Sequence, residues 1–354
     1  MKRPVPIAHV RALCALCLPP EQLVPAVLEA LHEVVPSACN LFDWSDCAGN
    51  LLHYYFEGPI DHAVARHYFE NFYNRREAEA MPTFRQALTG KVTVHSATEL
   101  DCPRFFRSAL YNEVWSPQGL HRRVEAIVRG SRGQSLGSLV LYRGPSDAPF
   151  TTDEEERLST IGPYLARGLE REPRLVVDYV PRRDRRALLS LSSDGHVLHM
   201  SREAHKILLL AHGGITPDSV TRSPSADAYP TLKLLVQQLR PAAQTSATLS
   251  VENAWGRFVF EAQSLQPLES AAPSLIHVSV HHHESRAVST RRVLAALPLS
   301  PAQREVCSLL CAGWKQGEIA EELKVAPSTV ADHVKQIYCR LEVHSAHELR
   351  ELVG

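Results

Sequence analysis

The chain has 354 residues, 44% of them hydrophobic and 22% charged, with a formal net charge of −1. That is the make-up of an ordinary soluble globular protein, long enough for two or three domains of ~100–200 residues. So even a balance excludes binding to nucleic acid or an anionic membrane through overall charge. No stretch reaches the ~18 uninterrupted apolar residues of a membrane span. The start, Met1–Leu18, is interrupted by His9 and Arg11 and lacks a small-residue cleavage site, so a cytoplasmic protein is expected.

In chain order, residues 5–35 read as two helices parted at Pro19-Pro20, the second striped by Leu23, Val24, Val27, Leu28 and Leu31. Residues 41–56 read as a strand pair turning at 46–50. An aromatic-rich helix is expected over 61–74, a strand over 91–94 and a helix around 105–115. Strands at 122–129 and 135–142 follow, parted by the Gly130–Gly133 turn. A last helix opens after Phe150 with an N-cap and an acidic first turn and runs to about Leu169.

The basic run Arg182–Arg186 reads as a solvated linker or helix face, with contact to the DNA backbone as a lesser possibility. Residues 187–200 form a hairpin around Asp194-Gly195, the strongest short hairpin signal in the chain. Helices at 201–211 and 232–239 and strands at 247–251, 257–264 and 275–281 complete this region. His281-His282-His283 is expected to be an exposed polar linker. Neighbouring residues on a strand point to opposite faces, so the three do not converge on a metal.

The C-terminal segment builds three short amphipathic helices. Ser300 is an N-cap, with Pro301 at the first helical position and Gln303 placed to complete a capping box. Val306, Leu309 and Leu310 follow at helical spacing, and Gly313 ends the helix. Ile319, Ala320 and Leu323 form the inner face of the second helix, and Val330, Val334, Ile337 and Leu341 that of the third. The short break at Lys324–Pro327 is helix-turn-helix spacing.

Those residues carry a resemblance. The Leu299-Ser300-Pro301 start, the Glu318-Ile319-Ala320 triplet and the Thr329-Val330-x-x-His333 run resemble the DNA-binding domain of LuxR-type (GerE-like) bacterial transcription factors. The resemblance implies an all-α helix-turn-helix over 295–354 that binds double-stranded DNA as a homodimer. The implied DNA-facing residues are Gln316, Ser328, Thr329, Asp332, Lys335, Gln336 and Arg340. Lys335 aligns with a position the family commonly uses to contact bases, where a lysine favours guanine edges. Asp332 can accept from a cytosine amino group or repel phosphate.

This chain departs from the family in having Ala331 at an often basic position, Ala326 in place of a serine cap and Glu342 in place of glycine. From 291 to 354, eight Lys and Arg face eight Asp and Glu, so little counterion release and weak non-specific binding are expected. Dimer contacts are expected through the fourth helix, with Leu349 and Leu352, or through a helix of the first domain.

Upstream, the element order resembles a GAF-like sensor domain over 1–180, then a PAS-like one over 184–284, with a linker at 285–294. The fold class is therefore multidomain α+β sensor plus all-α DNA-binding domain. The run Tyr111–Leu120 and the ending from Arg143 through Pro149-Phe150-Thr151 and Leu158 to Pro163-Tyr164-Leu165 resemble segments of LuxR-type sensor halves. Aromatic and His residues concentrate in the first domain. His53, Tyr55, Tyr68, Phe72, Phe106, Tyr111 and Trp115 are candidates for a pocket taking a small, partly apolar effector, with His53 or Arg122 as polar anchors. Taken singly, each more readily fills a core.

Nothing in the sequence matches a nucleophile elbow, a P-loop, a dinucleotide fingerprint or a zinc-protease motif. An enzyme is not expected, nor a cofactor or metal. Cys14-Ala-Leu-Cys17 has metal or redox spacing within an apolar helical pattern, where buried thiols are the simpler reading. Cys307, Cys311 and Cys339 are expected in the C-terminal core. Two alternatives stay open: a partner-binding adaptor with weak DNA binding, and a metal or redox sensor using Cys14, Cys17, Cys39 and Cys47.

Overall fold

The structure is a computed structural model that describes residues 7–173, 178–222, 228–240, 244–267 and 274–353. Residues 1–6, the segment 174–177, Gly354 and the side chain of Arg183, all within expected domains or runs, lie outside the described residues.

The first α/β unit begins with α1 (Ile7–Cys14) and α2 (Pro20–Leu31), then β1 (Cys39–Ser45) and β2 (Leu51–Phe56). Next come α3 (His62–Asn71), α4 (Phe84–Thr89), β3 (Val94–His95), α5 (Ala97–Leu100) and α6 (Pro103–Phe106). Strands β4 (Arg122–Arg129) and β5 (Ser135–Arg143) and helix α7 (Thr152–Glu170) close it. Thr151 caps α7 in a full capping box with Glu154. The helix expected around 105–115 is instead α6 and a separate π-helical turn over Tyr111–Trp115. Ser108 sits between them, donating to the Phe105 carbonyl and accepting from the Tyr111 amide, so its side chain competes with a continuous helix.

The second unit runs β6 (Tyr179–Ser192), β7 (Val197–Met200), α8 (Ala204–Ala211), α9 (Pro217–Thr221), α10 (Pro230–Leu239), β8 (Ser246–Asn253), β9 (Gly256–Leu265) and β10 (Leu275–Ser285). The hairpin turns where expected, with Gly195 at φ +100°, which a side chain would strain. Both units hold a five-stranded antiparallel sheet, ordered β2-β1-β5-β4-β3 and β7-β6-β10-β9-β8. Counted from each sheet's own first strand, the two orders are the same, 2-1-5-4-3.

Two sequence expectations fail in this unit. The basic run is not a solvated linker but part of β6. The Arg182 side chain is 11% exposed and ion-paired to Glu29, Asp184 and Glu284. The His281–His283 stretch is not an exposed linker but the body of β10. A register shift at this point turns His282 inward, where it stacks on Phe258 at 4.4 Å and bonds the Trp255 carbonyl at 2.9 Å. Partners this distant in sequence leave no local signal.

The two units share one apolar core. Trp255, buried at the turn between β8 and β9, stacks on Tyr55 and meets His53 and Trp44 edge-on. The Tyr54 amide bonds the Ile215 carbonyl, and Lys206 donates to the Glu57 and Gly58 carbonyls.

From β10 the chain passes directly into α11 (Arg286–Ala296), with Ser285 as its N-cap. Four helices follow: α12 (Pro301–Cys311), α13 (Gln316–Leu323), α14 (Pro327–Leu341) and α15 (Ala346–Val353). They enclose a separate core around Val306, Leu310, Ile319, Val330, Val334, Ile337 and Leu349. The segment 285–294 is thus mostly helix, packed on α1, β10 and α12.

Candidate nucleic-acid interface and ligand cavity

The C-terminal helices form as their sequence dictates. Ser300 accepts from the Gln303 amide while the Gln303 side chain accepts from Ser300, completing the capping box. Gly313 takes φ +90° after α12. Lys324 ends α13 in the left-handed region, and the chain re-enters α14 at Pro327 within three residues. Ala326 supplies no side-chain cap, as its methyl group requires. Glu342 ends α14 at φ 55°, a conformation glycine takes more readily.

The seven residues expected to face DNA are all exposed. Gln316 opens α13, and Ser328 and Thr329 lie in the first turn of α14. Asp332 and Lys335 stand one and two turns further along, with no side-chain partner among the described residues. Gln336 and Arg340 have an additional task. Gln303, buried under α14, donates to Gln336 Oε1 at 2.8 Å and accepts from Arg340 Nη1 at 3.1 Å. The pair therefore clamps α14 onto α12 and stands at the edge of the open face.

Three other C-terminal expectations are resolved. Cys307 is core as expected and Cys311 packs half-buried beside it, but Cys339 is exposed, two positions past the buried stripe that ends at Ile337. Leu349 is buried in its own domain and cannot serve a dimer contact, whereas Leu352 is exposed.

In the first unit, one face of the sheet packs Phe42, Trp44, Val124, Val128, Leu139 and Leu141 against α2 and α7. The other face, beneath α3, encloses a cavity of about 150 Å³. Of the seven pocket candidates, Tyr68 and Trp115 line it. His53 and Tyr55 sit instead at the seam with Trp255, where β2 meets the second unit. Phe72 is fully buried. Phe106 and Tyr111 pack on His121, the Tyr111 hydroxyl 2.7 Å from His121 Nδ1. Arg122 pairs with Asp101 at 3.5 Å, outside the cavity.

The polar groups that line the cavity include Asp43, Glu77, Arg123 and Glu125, with Asp61 and Gln118 also on its wall. Strand alternation explains the exchange of Arg122 for Arg123, which lies on the cavity face with Glu125. A charged residue in the middle of an apolar strand, as in Leu-Phe-Asp43-Trp or Val-Glu125-Ala-Ile, was the available signal. Glu77 accepts from the Tyr68 hydroxyl and from the amides of Asn74 and Phe84. Burial, then the neighbouring Glu125 and Glu77, push the Asp43 carboxyl well above the usual range.

A larger groove of about 690 Å³ is lined by α1, α7, α11 and α12 and bordered by His9, Arg167, Arg304 and His333. Cys14 and Cys39 are buried thiols, each pushed up to about 12 chiefly by burial. Among the described residues no group of three His, Cys, Asp or Glu stands close enough to hold a metal ion.

Residues 297–353 match the family described as GerE, bacterial regulatory proteins of the luxR family. They form a GerE domain. The match covers α12 to α15, the helices with their own core. No curated protein matches the chain. Among solved structures, it is similar to the Vibrio cholerae VqmA dimer, a LuxR-type receptor, in the absence of target DNA. That likeness has 16% identity, covers 47% of this chain and 80% of that one, and has a TM-score of 0.20. A phage VqmA–DPO complex gives 14%, 48%, 82% and 0.19. The E. coli DhaR(N)–DhaL complex gives 12%, 78%, 88% and 0.24. Scores this low carry no argument about the upstream units. No helix among the described residues is long and apolar enough to cross a membrane.

Proposed function

We propose that the chain is a sequence-specific, DNA-binding transcription regulator whose two upstream α/β units sense a small molecule and control the GerE domain. The observation that carries the reading is the GerE domain itself, with the outer face of α14 open. On this reading α14 enters the major groove, Ser328 and Thr329 contact phosphate, and Lys335 reads a base edge. The neutral domain gains little non-specific affinity, so a homodimer on two half-sites supplies the specificity.

The upstream units read as GAF-like (expected over 1–180) and PAS-like (expected over 184–284), with the boundary set ahead of β6, which opens the second sheet at Tyr179; their shared 2-1-5-4-3 strand order supports reading them as two like units. Control passes through α11, which leaves β10 without a break and packs on both α1 and α12. An effector shifts the balance between two placements of the GerE domains only as far as its affinities for them differ. The chain carries no enzymatic activity on this reading and works in the cytoplasm.

Selection of genomic fragments by the full chain, run beside Lys335→Ala at matched salt, tests the proposal. Enrichment of a two-fold motif by the parent and its loss in the variant are expected. Equal recovery of unrelated fragments by both would refute it and favour the partner-binding adaptor, which the absence of net charge over 291–354 also suits.

A further inference from the structure

The cavity under α3 is lined by two ionisable side chains that have no hydrogen-bond or ion-pair partner among the described residues. Arg123 is 4% exposed, and its Nε has no hydrogen-bond acceptor. Its guanidinium lies 4.8 Å from the Trp115 ring centre, and among the described residues it makes no side-chain hydrogen bond or ion pair. Asp43, on β1, likewise has no side-chain hydrogen-bond partner among the described residues. The neighbouring acids are occupied: Glu77 holds three donors, and Glu125 accepts from the Ser138 hydroxyl.

Leaving a buried guanidinium such as that of Arg123 without an acceptor is costly, so an acceptor on a ligand would stabilise it. A ligand that completes this site brings an acceptor to Arg123 and a donor to Asp43. Strand register separates the two groups. Arg123 lies opposite Tyr142, and Asp43 lies opposite Ser138, four residues away on the same strand. At ~3.3 Å per residue and ~4.8 Å between strands, their α-carbons stand ~16 Å apart. The two side chains close part of that gap, and the rest suits a molecule charged at both ends better than a single head group. A cavity of 150 Å³ admits a molecule of benzene's size or slightly larger, on the order of six to ten non-hydrogen atoms.

Resting on the sensor reading above, we propose that this cavity takes a small amino carboxylate, its carboxylate on Arg123 and its ammonium on Asp43. Tyr68 and Trp115 cover the chain between the two charges. Burial, then Glu125 and Glu77, raises the Asp43 carboxyl well above the usual range, and an ammonium beside it favours the ionised form.

Calorimetric titration of the full chain with 4-aminobutanoate and 5-aminopentanoate tests this, with butylamine and pentanoate as the corresponding half molecules. At least one amino carboxylate is expected to bind, with each half molecule at least tenfold weaker. Asp43→Asn and Arg123→Gln are each expected to weaken binding at least tenfold. Asp43→Asn removes only an unpaired acid, so its unliganded melting temperature is expected to be unchanged or higher. The half-molecule comparison uses the unmodified chain and holds even if Arg123→Gln fails to fold.

Binding of either half molecule as tight as the whole would overturn the two-ended site while keeping a sensor. No amino carboxylate binding, with a melting shift from some other fragment that Trp115→Ala abolishes, would overturn the ligand class alone. No stabilisation by either set would overturn both the class and the sensor reading.

Discussion

Glu284 and Arg292 close a bidentate ion pair where β10 turns into α11, with Nη1–Oε1 at 2.5 Å and Nη2–Oε2 at 2.6 Å. Arg292 also reaches Glu29 of α2 at 2.9 Å, and Arg182 of β6 bonds Glu29 and Glu284 in turn. The helix leading into the GerE domain is thus fixed to both upstream units by one ion-pair network of Glu29, Arg182, Glu284 and Arg292, with Asp184 on its edge. At the other end of α11, Arg291 holds Glu305 of α12 through two bonds of 2.9 and 3.0 Å.

Glu284→Gln removes the charge shared by the two arginines. Breaking a fully buried pair costs ~3–5 kcal/mol. Arg292 is 34% exposed and both arginines keep Glu29, so a loss of roughly 1–3 kcal/mol is expected after discounting for solvent. Urea unfolding of the full chain measures it. A loss below about 0.5 kcal/mol, the range of an ordinary surface substitution, would show that the network does not fix α11.

The two backbone departures in the GerE domain are repairable. Ala326→Ser supplies the missing N-cap acceptor and is expected to add about 1 kcal/mol. Glu342→Gly relieves a left-handed residue and is expected to add about 1 kcal/mol less its entropic cost. The sites flank α14 at opposite ends without a shared partner, so the gains should add. Thermal unfolding of the double variant checks this, and a double variant no more stable than the parent would contradict it.

His282 gives stability a pH dependence of known sign. Burial, then the nearby Arg185, holds its imidazole down at about 3 against an ordinary 6.5. The folded state therefore resists a proton that the unfolded chain accepts. The stabilisation is complete above pH ~6.5 and is lost as pH falls from there towards 3, by roughly 2 kcal/mol at pH 5. His9, lowered to about 4 mainly by burial, acts in the same direction. Buried carboxyls such as Asp43, raised in the folded state, act in the opposite one, so the comparison with His282→Gln isolates the term. The variant's stability should change less between pH 7 and pH 5; an identical slope would contradict the assignment.

Local chemistry made much of the fold legible. The Ser300–Gln303 capping box, the Asp194-Gly195 turn and the inner faces of α12, α13 and α14 each lie within a few residues of sequence, and each formed as read. Readings that depended on distant partners failed. Arg182 and His282 look solvent-bound in isolation, yet Glu29 lies 153 residues from Arg182 and Trp255 lies 27 from His282. The cavity was legible only in part. Its aromatic lining follows from composition, which yielded Tyr68 and Trp115. Its charged groups follow from which strand face each residue occupies, which moved the anchor from Arg122 to Arg123 and added Asp43.

Sequence reading by α14 is measured by an anisotropy titration. A duplex carrying the selected motif and a shuffled duplex would be compared at one fixed salt concentration, with the parent chain and with Lys335→Ala. The parent is expected to bind the motif ~10³-fold or more tighter than the shuffled duplex. Lys335→Ala is expected to lose roughly 1–3 kcal/mol on the motif, with a much smaller loss on the shuffled duplex. Equal affinity of the parent for both duplexes, or equal losses on both in the variant, would contradict sequence reading by α14.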